Sequence, residues 1–162
     1  HRLTHPPQLV RRNAGHQPDY WLQECKWLLA FSILAMHTIL VVDDSPTIRR
    51  MVRAALGTLS EVTFAEAESG LRAIEVLAMQ PVQMVVLDLN MPDMHGLDVI
   101  RFLRSNSRYR SLPVMVLTTR GDESSREAAF DAGATAYVTK PFTPGALASS
   151  VRDLLETVPR RV

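Results

Sequence analysis

A single cysteine, Cys25, in 162 residues leaves no partner for an intrachain disulfide. A disulfide-stapled scaffold is thereby excluded, and a reducing compartment suits the chain. No charge of one sign dominates: 18 Lys and Arg stand against 17 Asp and Glu, and a net charge of +1 offers no chain-wide footprint for nucleic acid. Long apolar runs are missing too. The stretch Tyr20–Met36 is broken by Glu24 and Lys26, leaving Trp27–Met36 uncharged over ten residues, where a membrane span needs ~20. What remains, 46% hydrophobic and 22% charged, is the composition of an ordinary globular chain of about one domain.

The scarce residue types are unevenly spread. Both tryptophans (Trp21, Trp27), the cysteine and three of five histidines (His1, His5, His16) lie within residues 1–36. That stretch carries four basic against two acidic side chains, and residues 37–162 carry fourteen against fifteen. His1–Pro18, with three prolines, reads as an irregular tail, and Tyr20–Met36 as an apolar helix. A secretory leader would carry its charge ahead of the apolar run and a small-residue cleavage site behind it. Here the chain passes directly into His37-Thr-Ile-Leu-Val-Val, so export is disfavoured and a cytoplasmic location is expected. Because Met36 immediately precedes that run, residues 1–35 read as a mis-called start or the remnant of an upstream region; the rival reading is a native helix that packs on a partner.

From residue 37 onward two periods alternate. Apolar runs of strand length fall at Ile39–Val42, Val62–Ala65, Met84–Leu87, Val114–Leu117 and Ala136–Val138. Between them lie helical segments: Ile48, Met51, Val52, Ala55 and Leu56 after the start signal Ser45-Pro46 and before Gly57; Leu71, Ile74, Leu77 and Ala78; Gly96–Arg104; Glu123–Ala132 closed by Gly133; and Leu147, Val151, Leu154, Leu155 and Val158. Five strands alternating with five helices predict an α/β fold, a doubly wound five-stranded parallel sheet with helices on both faces. Nearly all-apolar strands agree, since such strands are buried on both sides. Chemistry is then expected just beyond the carboxyl ends of the strands.

Those positions hold Asp43-Asp44, Asp88, Thr118-Thr119 and Lys140-Pro141, with Glu66 after the second strand read as solvated. Three carboxylates at one edge repel unless a cation or protons neutralise them, and an oxygen-only donor set suits Mg²⁺. Helix capping by Asp accounts for one of the pair Asp43 and Asp44 but not for both together with Asp88. Lys140 is the only lysine after residue 36, where the other thirteen basic residues are arginines. As a compact ammonium it can pair with the carboxylates or hold a phosphoryl oxygen. A Gly-rich phosphate loop is lacking after the first strand, which disfavours a nucleotide or flavin site.

Taken in register, Ile39-Leu-Val-Val-Asp-Asp-Ser45, Val86-Leu-Asp-Leu-Asn-Met-Pro-Asp-Met-His-Gly96, Thr118 and Ala136-Tyr-Val-Thr-Lys-Pro-Phe142 resemble the receiver domain of two-component response regulators. The similarity spans about residues 37–158 and is greatest to the single-domain chemotaxis type. It implies a flavodoxin-like sheet of strand order 2-1-3-4-5. It further implies Asp88 as phosphoacceptor, Mg²⁺ held by Asp44 and Asp88 directly, by Asp43 through water and by the backbone carbonyl of Asn90, and Lys140 and Thr118 on the phosphoryl group. Thr118 and Tyr137 would form the switch, although Tyr137 and Phe142 read equally well as core aromatics. Pro92 and Gly96 would shape the loop after Asp88, Pro141 would follow a cis peptide, and Asn90 and Arg120 occupy positions that tune phosphoryl lifetime in the family. His95 reads as solvated.

The function so implied is a phosphorylation-activated switch, with domains at 1–36 (extension), 37–158 (receiver) and 159–162 (stub). Its partners would be a histidine kinase or phosphotransfer protein and a downstream effector at the face of the fourth helix, fifth strand and fifth helix; a phosphorylation-linked homodimer also fits. No direct nucleic-acid or membrane partner is expected. Two alternatives stand beside it. A binding-only pseudo-receiver would lack members of the acidic cluster or the lysine, and an aspartyl-phosphate phosphatase would want a second carboxylate where Asn90 stands.

Overall fold

The computed structural model describes residues 36–158 and, ahead of them, Lys26. The tail and helix expected before Met36 otherwise lie outside the described residues, as does the stub 159–162. The apolar runs form β1 (His37–Val42), β2 (Val62–Ala67), β3 (Met84–Leu87), β4 (Val114–Thr118) and β5 (Ala136–Thr139). The segments between and after them form α1 (Pro46–Leu56), α2 (Gly70–Met79), α3 (Gly96–Ser105), α4 (Glu123–Ala132) and α5 (Pro144–Glu156). All neighbouring strands pair in parallel, in the order β2-β1-β3-β4-β5. No helix among the described residues is long and apolar enough to cross a membrane.

Alternation along each strand divides the core between the two faces of the sheet. Leu40, Val42, Val85, Leu87, Val114, Val116 and Tyr137 meet α2, α3 and α4 on one side. On the other, Ile39, Val41, Met84, Val86, Met115 and Leu117 meet α1 and α5. β3 and β4 are buried at every position, because both faces are covered and both edges are paired.

Caps set the helix starts. Ser45 caps α1 through its hydroxyl, which accepts from Ile48 N–H at 3.3 Å, and Pro46 occupies the first turn, where its missing N–H costs nothing. Gly133, at φ 111°, ends α4 in the left-handed conformation. Three residues of the predicted apolar stripes face solvent: Met51 in α1, whose Val52, Ala55 and Leu56 are buried as expected, and Leu71 and Ala78 in α2. Met51 is 49% and Leu71 56% exposed, while Ala73, Val76 and Leu77 make the buried face of α2. Close approach explains the case of α2: a Cβ on Gly70 would stand 2.8 Å from Met94 Cβ and 2.9 Å from Val99 Cγ2, so small residues face inward there. β2 also runs two residues beyond the expected end, which places Glu66 inside the strand, in register with Val41.

Candidate functional site

Parallel strands present their carboxyl ends at one edge, and β1 and β3 are adjacent although α1, β2 and α2 lie between them in the chain. That reversal of winding opens a crevice. Into it come Asp43 and Asp44 from the two residues after β1, Asp88 from the residue after β3, Thr118 from the last position of β4, and Lys140 from the residue after β5. Carboxylate oxygens of Asp43, Asp44 and Asp88 lie within 4.8 Å of one another. Asp43 and Asp88 are buried and Thr118 is fully enclosed, whereas Asp44 is exposed.

Each buried group is held by name. Asp43 Oδ2 accepts from Lys140 Nζ at 2.6 Å, and its Oδ1 accepts the Ser45 N–H at 2.9 Å. Lys140 Nζ stands 3.8 Å from Asp88 Oδ1, so one ammonium serves both carboxylates. Burial raises the Asp88 carboxyl above its ordinary pKa; Lys140 opposes this, Asp43 adds to it, and the Asn90 backbone N–H and Thr118 hydroxyl lower it again. The carboxylate charge is therefore costly as it stands, with three acids set against a single lysine. An oxygen-only donor set of this charge and spacing fits a hard divalent cation.

The loop after Asp88 is shaped by Gly96. A Cβ there would lie 2.5 Å from the Asp88 carbonyl oxygen and 2.7 Å from Leu89 Cα, and the Gly96 N–H donates to Leu89 O at 3.0 Å. Asp93 fastens the same loop to α2, its carboxylate accepting from Gly70 N–H at 3.3 Å and Leu71 N–H at 3.1 Å. Slight burial pushes the Asp93 carboxyl up, but backbone donors at Leu71, Met94 and Gly70 and the Ser69 hydroxyl outweigh it and bring the pKa below the ordinary value.

Tyr137 is 9% exposed, and its hydroxyl donates to the Arg120 carbonyl at 2.6 Å. Burial raises its pKa, Asp122 adds to this, and Arg120 and Arg126 oppose it. Arg120 in turn donates from Nε to Asn90 Oδ1 at 3.1 Å, so the loops after β3 and β4 are bridged. The Asn90 side chain is occupied in that bridge. The Lys140–Pro141 peptide is cis.

Three side chains play parts that the sequence reading did not assign. Glu66 is not simply solvated: it pairs with Arg49 at 3.6 Å and Arg53 at 3.5 Å. Arg49 Nη1 donates to the Asp43 carbonyl at 2.7 Å. His95 is half-buried and caps α3, its Nδ1 accepting from Leu97 N–H at 3.2 Å. Spacing alone carried a signal only for Arg49 and Arg53, which share a face of α1 four residues apart.

A family model described as the response regulator receiver domain matches residues 39–152. The chemotaxis protein CheY1 of Helicobacter pylori is 39% identical over 120 residues, which cover 74% of this chain and 97% of that protein. Among solved structures, chemotaxis protein CheY4 of Vibrio cholerae superposes with a TM-score of 0.69 at 30% identity, covering 74% of this chain and 99% of the other. The Mn²⁺-bound form of response regulator Rcp1 superposes with a TM-score of 0.65 at 29% identity, covering 78% and 99%.

Proposed function

The chain belongs to the response regulator receiver family, of the chemotaxis CheY type, and from that premise we propose that it is a switch set by phosphorylation of Asp88. One observation carries the reading. A buried carboxylate at the end of β3 has Lys140 Nζ at 3.8 Å and two further carboxylates within cation-binding reach.

In the proposed step an Asp88 oxygen attacks the phosphorus of a phosphohistidine on a histidine kinase or phosphotransfer protein. The P–N bond breaks and its electron pair stays with the imidazole, which leaves neutral because its other ring nitrogen already carries a proton, and an acyl phosphate forms on Asp88. A carboxylate is a weak nucleophile, so the rate must come from in-line placement and from neutralising the phosphoryl oxygens. A divalent cation, when bound, supplies positive charge at the transferring group; Mg²⁺ is proposed, held by Asp44 and Asp88, by Asp43 through water and by the Asn90 carbonyl. Response regulator Rcp1, a relative of the same fold, has a Mn²⁺-bound form, which supports the proposal of a divalent cation here. Lys140 holds a phosphoryl oxygen as a point charge, and the Thr118 hydroxyl donates to the phosphoryl group once it is in place.

The output surface is proposed as α4, β5 and α5. Support comes from connectivity: the Lys140 N–H donates to Thr118 O at 2.8 Å, Thr118 pairs with Thr139, and Tyr137 holds the carbonyl of Arg120. A shift at Thr118 would therefore be felt by Tyr137 and the face beside it, where Phe130 is 40% exposed. An effector protein, or a second copy after phosphorylation, would read that face. The acting unit is taken as residues 37–158, with no nucleic-acid surface proposed. The phosphatase alternative is weaker, since the position two residues after Asp88 is Asn90, whose side chain is engaged by Arg120.

The test is intact mass after incubation with acetyl phosphate, with and without Mg²⁺, for wild type and Asp88→Asn. One phosphoryl increment that needs Mg²⁺ and is lost in Asp88→Asn is expected. A wild type that stays unmodified while folded would leave a binding-only receiver as the better account.

A further inference from the structure

Asp43 is constrained at every polar atom. Its N–H donates to Ala67 O at 3.1 Å, its two carboxylate oxygens take Ser45 N–H and Lys140 Nζ, and its carbonyl takes Arg49 Nη1 at 2.7 Å. The last of these is unexpected on helix electrostatics. Arg49 lies in the opening turns of α1, where the macrodipole disfavours a cation. Something must offset that, and Glu66 on β2 does so, standing 3.6 Å from Arg49 Nε and 3.5 Å from Arg53 Nη1. Arg53 is further occupied by the Phe64 ring, 5.8 Å from its guanidinium carbon. Arg49 is 16% exposed and its Nε is buried without a hydrogen-bond partner, so the side chain is held by charge at one end and by the Asp43 carbonyl at the other.

We infer that Arg49, braced by Glu66, is a positioning residue that fixes the β1–α1 turn so that Asp43 and Asp44 present their carboxylates to a divalent cation. The inference rests on the acceptor-site reading above and adds residues that touch neither cation nor phosphoryl group. Its physical content is that a guanidinium placed beside an acidic cluster is spent on a backbone carbonyl rather than on the carboxylates. A charge-assisted bond of 2.7 Å to the carbonyl of one acid, immediately before the next, restricts the peptide that links them. Outer partners of this kind commonly govern cation affinity although they do not ligate.

Charge alone and positioning predict opposite signs. Removing a cation from beside three carboxylates would tighten binding of a divalent ion if only the field mattered. Under the positioning account it weakens binding, by about tenfold on the scale of outer-shell losses at metal sites. The experiment is a calorimetric Mg²⁺ titration of wild type, Arg49→Met, Arg49→Lys, Glu66→Gln and Arg53→Met, below the unfolding temperature of each. Amide exchange at Ser45 without Mg²⁺ reports the turn itself. Weaker binding in Arg49→Met and Glu66→Gln, partial recovery in Arg49→Lys, no weakening in Arg53→Met, and faster Ser45 exchange in Arg49→Met are expected.

Binding in Arg49→Met as tight as in wild type, or tighter, overturns the inference while the acceptor reading stands on phosphoryl uptake by the same protein. Equal weakening in Arg53→Met also overturns it, because that side chain does not touch Asp43. A wild type that takes up neither Mg²⁺ nor a phosphoryl group overturns both.

Discussion

Two glycine-to-alanine substitutions, identical in chemistry, should change stability with opposite signs. At Gly96 a Cβ would meet the Asp88 carbonyl oxygen at 2.5 Å, Leu89 Cα at 2.7 Å and Leu89 Cδ2 at 3.0 Å. Two of these three atoms are backbone, and the Gly96 N–H to Leu89 O bond of 3.0 Å pins the approach, so no rotamer change relieves the clash. Overpacking of this kind costs about 1–3 kcal/mol, and loosening the pinning bond adds about 1 kcal/mol. At Gly145, on the first turn of α5, a Cβ meets nothing within 4 Å. Alanine there reduces the freedom of the unfolded chain and favours the helix, a gain of about 0.5 kcal/mol.

Urea unfolding at constant slope measures both. Gly96→Ala should lose about 2–4 kcal/mol, and Gly145→Ala should exceed wild type by about 0.5 kcal/mol. The Gly96 change should also slow phosphoryl uptake, because the atom it displaces is the carbonyl of Asp88 itself. Gly96→Ala within about 0.5 kcal/mol of wild type would refute the argument, since it would mean the loop yields at a cost far below the ordinary overpacking range.

Asp93→Ala should cost about 1 kcal/mol at neutral pH, as the loss of a helix cap does. The Asp93 pKa is depressed in the fold, so its contribution is present above the unfolded carboxylate value and fades as pH falls through the folded one; wild type and variant should therefore converge in acid, and a gap that persists in thermal melts at low pH would contradict this. Tyr137→Phe removes the donor to the Arg120 carbonyl at 2.6 Å and should cost about 1 kcal/mol in urea unfolding, with phosphoryl uptake by mass spectrometry unchanged. Loss of uptake in that variant would mean that Tyr137 acts on the acceptor itself.

Much of this was legible because periodicity and parallel topology constrain each other. The runs Met84–Leu87 and Val114–Leu117 are apolar at every position, and only strands covered on both faces take that pattern. Once strands are parallel, the residues after them share an edge, which is why Asp43, Asp88, Thr118 and Lys140 were read as neighbours across 97 residues of chain. Local pattern failed where the decisive contact was distant. Leu71 fits a helical stripe, yet α2 turns Ala73 and Val76 inward because Gly70 must pass Met94 and Val99 closely. Glu66 is exposed, as expected, but nothing in β2 announces that α1 carries two arginines within ion-pair reach of it. His95 looked incidental because histidine is not among the usual capping residues, so its type does not announce that Nδ1 takes the Leu97 N–H.

The arrangement also explains why so many constraints gather on short loops. Asp88 is costly to keep charged where it is buried, and a group so placed will move, protonate or draw in a cation unless its surroundings are fixed. Each flanking loop is accordingly tied to a different element: the β1–α1 turn by Arg49 to Asp43, the β3–α3 loop by Asp93 to α2, and the β4–α4 loop by Arg120 to Asn90 and by Tyr137 to Arg120. The first two ties lead into α1 and α2, whose buried faces fasten them to the sheet. The third joins two loops and a strand-borne aromatic, with Phe130 and Arg126 of the thinly buried α4 packed on that ring. In the proposed state a phosphoryl group on Asp88 would draw on the Thr118 hydroxyl, which the Arg120 N–H approaches at 3.5 Å, and would disturb this third tie first, because it has the least buried apolar surface behind it.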